Sequence, residues 1–454
     1  MLSTAENSAS KHWLLSSLFW LVTGMAFGLI VATKQIWPDF LNFQYMTYGR
    51  VRPLHVMIVV FAWMTMGFIG AMFYMVPKLT RTKLWSERQG NFAAIYWNLL
   101  MVTVVVAFLG FGDVKPLEYA QFPTWIVVLS VIGMVVVATN IFKTIANRKE
   151  KQLYVSLWYF MGSLLWLPAI TIIGNWPWAS GANQANMAWF LGHSAIGLWL
   201  TTVGVGQIYF LLPKLTNRPL YSHELSLIGF WTIATFYVWN GPHHLMNGPL
   251  PGWLNKAGII PSLLLIIPVW AVLANVFGTM KGAWNKVGDN IPLRFVMTGA
   301  ILYLMACLQG PFQSLPSVNS VIKFTHWTVG HAHVGPIGFS IVTMATIYYV
   351  IPRITGKQIF SRGMMEAHYF LTVVGFLVFA FALWVAGIIQ GFEWIKGTAF
   401  IETVDMVRPY VAARGIGGLM MILGQIIFAI NIFMTLSKGE KVEKGGIIKS
   451  EEVA

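Results

Sequence analysis

The sequence of 454 residues holds one cysteine, and only 10% of its residues are charged. A single cysteine excludes a disulfide framework, a cysteine-based zinc site and an iron–sulfur cluster ligated by this chain alone. Cys307 lies inside an apolar run and reads as packing. There is no C-x-x-C-H, so no haem is attached covalently. A soluble globular chain carries about 25% charged residues. With 10% charged, 57% hydrophobic, 21 Trp, 31 Phe and 23 Met, this chain reads as a polytopic membrane protein rather than a cytosolic enzyme. Acids are scarcest of all, because the 16 Asp and Glu fall outside the cores of the apolar runs. A carboxylate relay in mid-membrane is thereby excluded, and a proton route must use hydroxyls, amides and water. A cleavable signal peptide is also missing, since the polar opening MLSTAENSASKH leads into an apolar stretch long enough to stay in the membrane.

What is present is a series of apolar runs of about 20 residues. Twelve spans are predicted, near 13–33, 55–77, 91–111, 123–142, 154–174, 188–212, 225–242, 258–280, 293–315, 327–351, 367–390 and 409–435. Short loops join them, and no linker, low-complexity tract, soluble domain or internal repeat stands out. The expected fold is all-α: one transmembrane catalytic domain over 1–454, with spans about 13–435 and short tails 1–12 and 436–454. Sixteen of the 30 Lys and Arg lie in the loops after spans 2, 4, 6, 8 and 10, from Lys78 to Arg362. That makes these loops cytoplasmic and puts both termini on the same side of a bacterial inner membrane. The net charge of +14 is then a topology signal, and loops this short offer nucleic acid no docking surface.

Of the ten histidines, His12, His223, His326 and His368 fall in tails, loops or span ends and read as interfacial. The other six share one depth. His55 opens span 2, His193 follows the start of span 6, His243 and His244 end span 7, and His331 and His333 lie near the start of span 10, all in the outer half of the bilayer. Histidine is costly in lipid, and scattered structural histidines have no reason to share a level, so metal or haem ligation is the expected role. On a helix His331 and His333 diverge by about 200°, so one helix serves two centres. His243 and His244 can converge with His193 on one ion, a copper-like set of three imidazoles. His55 pairs with one of the span-10 histidines across a six-coordinate haem and leaves the other to a second haem. Tyr237 precedes His244 by two helical turns, which aims its phenol at the three-histidine metal.

The segments RPLH (52–55), GHSAIGLWLT (192–201), YVWNGPHHL (237–245), GPF…VNS (310–320) and WTVGHAHVG (327–335) resemble the catalytic subunit of cbb3-type, or C-family, haem–copper oxygen reductases. The similarity runs from about residue 12 to 435. It implies that His55 and His333 are the axial ligands of a low-spin haem b, His331 the proximal ligand of a high-spin haem b, and His193, His243 and His244 the copper ligands. By the same resemblance Tyr237 is covalently bound to His193, Arg52 lies near the haem propionates, and Glu118 belongs to a calcium site. Ser226, Tyr209, Thr201, Asn275 and Tyr303 match the polar positions of the family's single proton channel. The implied reaction reduces dioxygen to water with electrons from cytochrome c, delivered through a membrane-anchored cytochrome c subunit, with protons taken from the cytoplasmic side. Two positions depart from the family: Gln309 and Gln121 stand where it has glutamates. Nitric oxide reductase is the nearest rival, but those enzymes place a carboxylate where this chain has Gly197, and they lack the phenol of Tyr237. A histidine-lined transporter or proton channel is the rival of another class, and it predicts an inverted internal repeat.

Overall fold

The computed structural model describes residues 2–442. The last part of the C-terminal tail, with Glu443, Lys444, Lys449, Glu451 and Glu452, lies outside the described residues. Among the described residues there is no strand, only one isolated bridge between Lys357 and Lys441. In lipid every backbone polar group must be satisfied within its own segment, which is why apolar runs rich in Val and Ile become helices here.

Among the described residues eleven helices are long and apolar enough to cross a membrane: α1 Ser8–Lys34, α2 Tyr48–Thr80, α3 Glu87–Phe111, α4 Thr124–Ala146, α5 Val155–Gly174, α6 Gly181–Thr216, α8 Gly252–Met280, α9 Ile291–Gln313, α10 His326–Thr355, α11 Arg362–Lys396 and α12 Phe400–Lys438. The seventh predicted span accounts for the difference from twelve. There α7, His223–Phe236, has 14 residues, and the chain continues in 3₁₀ turns over Tyr237–Trp239 and Gly241–Leu245. Pro242 has no N–H to continue the ladder and its ring crowds the carbonyl four residues back, so the α-helix stops short. Tyr237 and His244 are therefore not two α-helical turns apart, as the spacing suggested. The other spans are mostly longer than predicted, α6, α11 and α12 most of all. An additional short helix, Pro316–Ile322, links α9 to α10.

The central windows of α2, α6 and α10 are 89%, 94% and 89% buried, whereas those of α1, α3, α4, α8 and α12 are below half. The three innermost helices carry His55, His193 and the His331/His333 pair. Each of α2, α3 and α6 also contains a π-helical stretch, and the one at Ile196–Thr201 follows directly on the His193 turn. A π turn inserts a residue and rotates the side chains before it relative to those after it.

The structure contains a threefold repeat that hydropathy does not reveal. Helices α2, α6 and α10 end in Pro77-Lys78-Leu79-Thr80, Pro213-Lys214-Leu215-Thr216 and Pro352-Arg353-Ile354-Thr355. Each is followed by a left-handed residue: Arg81 (φ 52°), Asn217 (φ 56°) and Gly356 (φ 64°). The next helix then starts on a serine cap, at Ser86, Ser222 or Ser361, whose hydroxyl accepts the N–H three residues on. In α4, α8 and α12 an Asn-x-Phe-x-Thr motif grips that cap. Asn140, Asn275 and Asn431 each accept the N–H of their serine and donate to its carbonyl. Thr144, Thr279 and Thr435 accept the N–H one residue earlier, all at 3.0 Å. The three copies share the same order of elements along the chain, helix end, left-handed residue, serine cap and Asn-x-Phe-x-Thr clamp.

Candidate metal centre

His193, His243 and His244 converge. One ring nitrogen of each lies within 4.8 Å of the other two. Nδ1 of His193 and Nε2 of His244 face each other at 2.9 Å. His243 and His244 both come from the 3₁₀ turn Gly241–Leu245, and His193 of α6 completes the set across from them. The Nδ1 of His243 is held by the Ser262 hydroxyl at 2.6 Å, so α8 orients that ring. His243 Nε2 and His193 Nε2 are buried without a hydrogen-bond partner. Buried polar atoms are rarely left unsatisfied, and three neutral imidazoles with no thiolate or carboxylate among them fit a copper ion. Trp189, one turn before His193, stacks on His244 with ring centres 3.9 Å apart.

The ring of Tyr237 packs against His193, with centroids 4.6 Å apart and planes 22° apart. Gly197 makes room for it, since a Cβ there would run into the Tyr237 ring. The phenol does reach the triad, through the 3₁₀ turn rather than along an α-helix face.

His55 and His333 face each other with ring centroids 6.4 Å apart and planes within 19°. Two metal–nitrogen bonds of about 2 Å each plus the two ring radii span roughly 6 Å, so an iron fits between them. The Nδ1–H of each ring donates 2.8 Å to a carbonyl, Gly24 for His55 and Val329 for His333, which leaves both Nε2 lone pairs for a metal. The rings border a cavity of about 610 Å³ that also reaches Trp189, His243 and His244. Gly28 belongs to its wall, where a Cβ would come within 2.6 Å of the His55 ring. His331 points away from this pair, as the 200° offset requires. It stacks on Trp327, and its Nδ1–H donates 3.1 Å to the amide oxygen of Gln309.

Arg52 and Glu118 form an ion pair of 2.8 Å at the cavity edge. Gln121 is buried, with its Oε1 unpartnered. Ser226, Tyr209, Thr201, Asn275 and Tyr303 are all buried in α6 to α9. Ser226 and Thr201 bond carbonyls of their own helices, while Asn275, held by Ser222, also lies within hydrogen-bond reach of the Tyr209 hydroxyl. The Tyr159 hydroxyl is buried without a hydrogen-bond partner, and its ring centre lies 5.8 Å from that of Tyr209.

Sequence reasoning missed three residues. Arg414 is 5% exposed in α12 and lines the cavity, donating to Gln35 at 2.5 Å while its Nε has no partner. The signal was there, a cation inside the predicted span 409–435. Ser262 gave none, being an ordinary serine in an apolar run. His368, read as interfacial, is fully buried, because α11 begins five residues before the predicted span 367–390.

Comparison with known proteins agrees with this geometry. The family cytochrome c and quinol oxidase polypeptide I matches residues 8–421. The cbb3-type cytochrome c oxidase subunit CcoN1 of Stutzerimonas stutzeri is 32% identical over 95% of either chain. A cytochrome c oxidase subunit 1 homologue of Agrobacterium tumefaciens is 33% identical over 96% of this chain and 84% of its own. A nitric oxide reductase chain of Stutzerimonas stutzeri is more distant, 22% identical over 93% of this chain and 94% of its own. A solved haem–copper terminal oxidase dimer superposes with a TM-score of 0.81 at 16% identity, covering 98% of this chain and 86% of that one, which speaks for the fold.

Proposed function

The chain belongs to the cytochrome c and quinol oxidase polypeptide I family as a haem–copper cytochrome c oxidase of the cbb3 type, and from that premise we propose how its residues divide the reaction. His55 and His333 hold a low-spin haem b, His331 holds a high-spin haem b, and His193, His243 and His244 hold copper. Bound there, these groups store electrons and offer the open coordination positions at which dioxygen is reduced to water. The protein orients and protonates. Backbone carbonyls and Gln309 fix the tautomers of the haem ligands, and Ser262 fixes His243. Tyr237 supplies a proton from its hydroxyl beside the copper ligands, and its near-parallel packing at 4.6 Å supports a covalent bond to His193. Arg52 and the buried Arg414 are the cations for haem carboxylates. Calcium at Glu118 has the least support, because that carboxylate is already paired with Arg52.

Protons enter from the cytoplasmic face through Ser226, Tyr209, Thr201 and Tyr303, with water closing the gaps between their hydroxyls. Gln309, an amide, cannot pass a proton as a glutamate does. The protein spans the membrane of a bacterial respiratory chain with cytochrome c-type partners. We place both termini in the cytoplasm, treat the chain as one catalytic domain, and assign electron delivery to a membrane-anchored cytochrome c subunit.

The convergence of three imidazoles without a carboxylate carries the reading. Against nitric oxide reductase stands Gly197, where any side chain collides with Tyr237. Metal analysis together with dioxygen and nitric oxide turnover on one preparation tests it. One copper for every two haem irons and dioxygen consumption are expected. A third iron without copper, or nitric oxide turnover alone, would overturn it.

A further inference from the structure

His368 is a titratable group that the reaction scheme leaves unused. It is fully buried on α11, sandwiched by Phe428 of α12, parallel at 4.5 Å, and Phe295 of α9 at 5.0 Å. Both ring nitrogens are engaged. Nε2 meets the Gln425 amide oxygen at 3.2 Å, and the Gln425 amide nitrogen donates to Thr372 at 2.9 Å. An amide oxygen only accepts, so Nε2 carries the hydrogen and Nδ1 accepts from the Tyr348 hydroxyl at 3.0 Å. Gln425 and Thr372 both line the cavity between His55 and His333. On the other side, Tyr348 packs on Phe428, and Asn431, one turn nearer the cytoplasm on that face, grips the Ser361 cap. A line of polar groups thus runs from the cytoplasmic end of α11 to the cavity, with an imidazole in its middle.

The repeat shows that this placement is not general to the fold. Counting back four residues from Pro77, Pro213 and Pro352 gives Phe73, Tyr209 and Tyr348. Counting seven on from Ser86, Ser222 and Ser361 gives Ala93, Gly229 and His368. The first copy is apolar at both positions. The second has the phenol of the proposed proton route, and the third has a phenol and an imidazole behind the His55–His333 cavity.

We propose that His368 is a redox-linked proton site for that cavity, resting on the reading that the cavity holds the low-spin haem. An electron from cytochrome c entering the cavity adds a buried negative charge; the cations there, Arg52 and Arg414, are charged in both states, and the spans offer no carboxylate to take up a proton in response. The Tyr348 hydroxyl passes its proton to His368 Nδ1 and takes one from the cytoplasmic side, so that one proton accompanies one electron. The resulting imidazolium donates through Nδ1 to Tyr348 and through Nε2 to Gln425. When the electron moves on, the proton returns by the same route. Besides Tyr348, the titratable and charged groups on the packed elements include Tyr369, the Arg294–Glu366 ion pair, itself neutral overall and joined at its edge by Arg362, and Arg414 of α12, which lines the cavity. An arginine is charged before and after the electron arrives, so its charge does not follow the electron.

Redox titration of the low-spin haem band in the purified oxidase at several pH values tests the proposal. In the wild type the midpoint falls with pH between about pH 5 and 8, with a slope approaching 59 mV per unit, the tenfold change expected for one proton per electron. His368→Asn flattens the slope. Gln425→Glu, which keeps the imidazole charged in both states, flattens it as well and serves if the first variant fails to assemble. A flat wild-type titration, or a slope unchanged in either variant, overturns the proposal while leaving the haem assignment standing. A preparation without a low-spin haem band overturns that assignment and the proposal together.

Discussion

Gln309 holds the Nδ1–H of His331 with an amide oxygen at 3.1 Å, and the identity of that acceptor matters more than its presence on a polar list. Removing it in Gln309→Leu leaves a buried donor unsatisfied, a loss of about 1–3 kcal/mol, and frees the ligand to rotate. Affinity for the high-spin haem should fall about 10- to 100-fold, read as loss of the carbon-monoxide-binding band. Gln309→Glu keeps the bond and adds a charge. Unchanged turnover and proton uptake in that variant would show that the position is irrelevant to proton delivery. Gly197 acts by absence. In Gly197→Ala a methyl group meets the Tyr237 ring, and a displacement of about 1 Å at the site can lower turnover about 100-fold. Dioxygen consumption per copper is the measurement, and near-normal activity would mean that Tyr237 can give way without cost. Both residues were legible as positions in a motif, but their contacts were not, because a glycine carries no sign of the ring it accommodates.

At the scale of the helix, the three Asn-x-Phe-x-Thr clamps separate architecture from chemistry. Asn275 matches a proton-channel position, yet its amide is committed at both ends to Ser222, as those of Asn140 and Asn431 are to Ser86 and Ser361, away from any copper. Asn140→Ala loses two hydrogen bonds to Ser86 and one to Gln89, and Asn275→Ala loses two to Ser222; each should cost about 1–3 kcal/mol, seen as drops in Tm. If Asn275 only clamps, turnover per copper stays equal in the two variants. A selective loss in Asn275→Ala would restore it to the proton path. The signal for the repeat, PKLT at 77–80 and again at 213–216, lies at span ends, where a search for apolar runs does not look. The end of α7 was misplaced for a related reason. Hydropathy continues through Tyr237-Val238-Trp239, while Pro242 interrupts only the hydrogen-bond ladder.

For the whole molecule, the basic loops predict an orientation that labelling can check. With Cys307 replaced by Ser, a cysteine at Lys149, in the loop after α4, should react with a membrane-impermeant reagent only from the cytoplasmic side of vesicles. One at Trp178, in the exposed loop before α6, should react only from the opposite side. The reverse pattern would invert the proposed route of proton entry. The sequence by itself determined the all-helical class, eleven of the twelve predicted spans as full-length helices and the common depth of six histidines. Hydrophobic length and histidine position are one-dimensional properties, and lipid forces apolar runs into helices. Only the tertiary structure decided which nitrogen of each histidine is left for a metal, that a 3₁₀ turn carries Tyr237 to His193, and that Arg414 and His368 are buried beside the cavity. Those outcomes depend on contacts between residues dozens to hundreds of positions apart, set by how the helices pack.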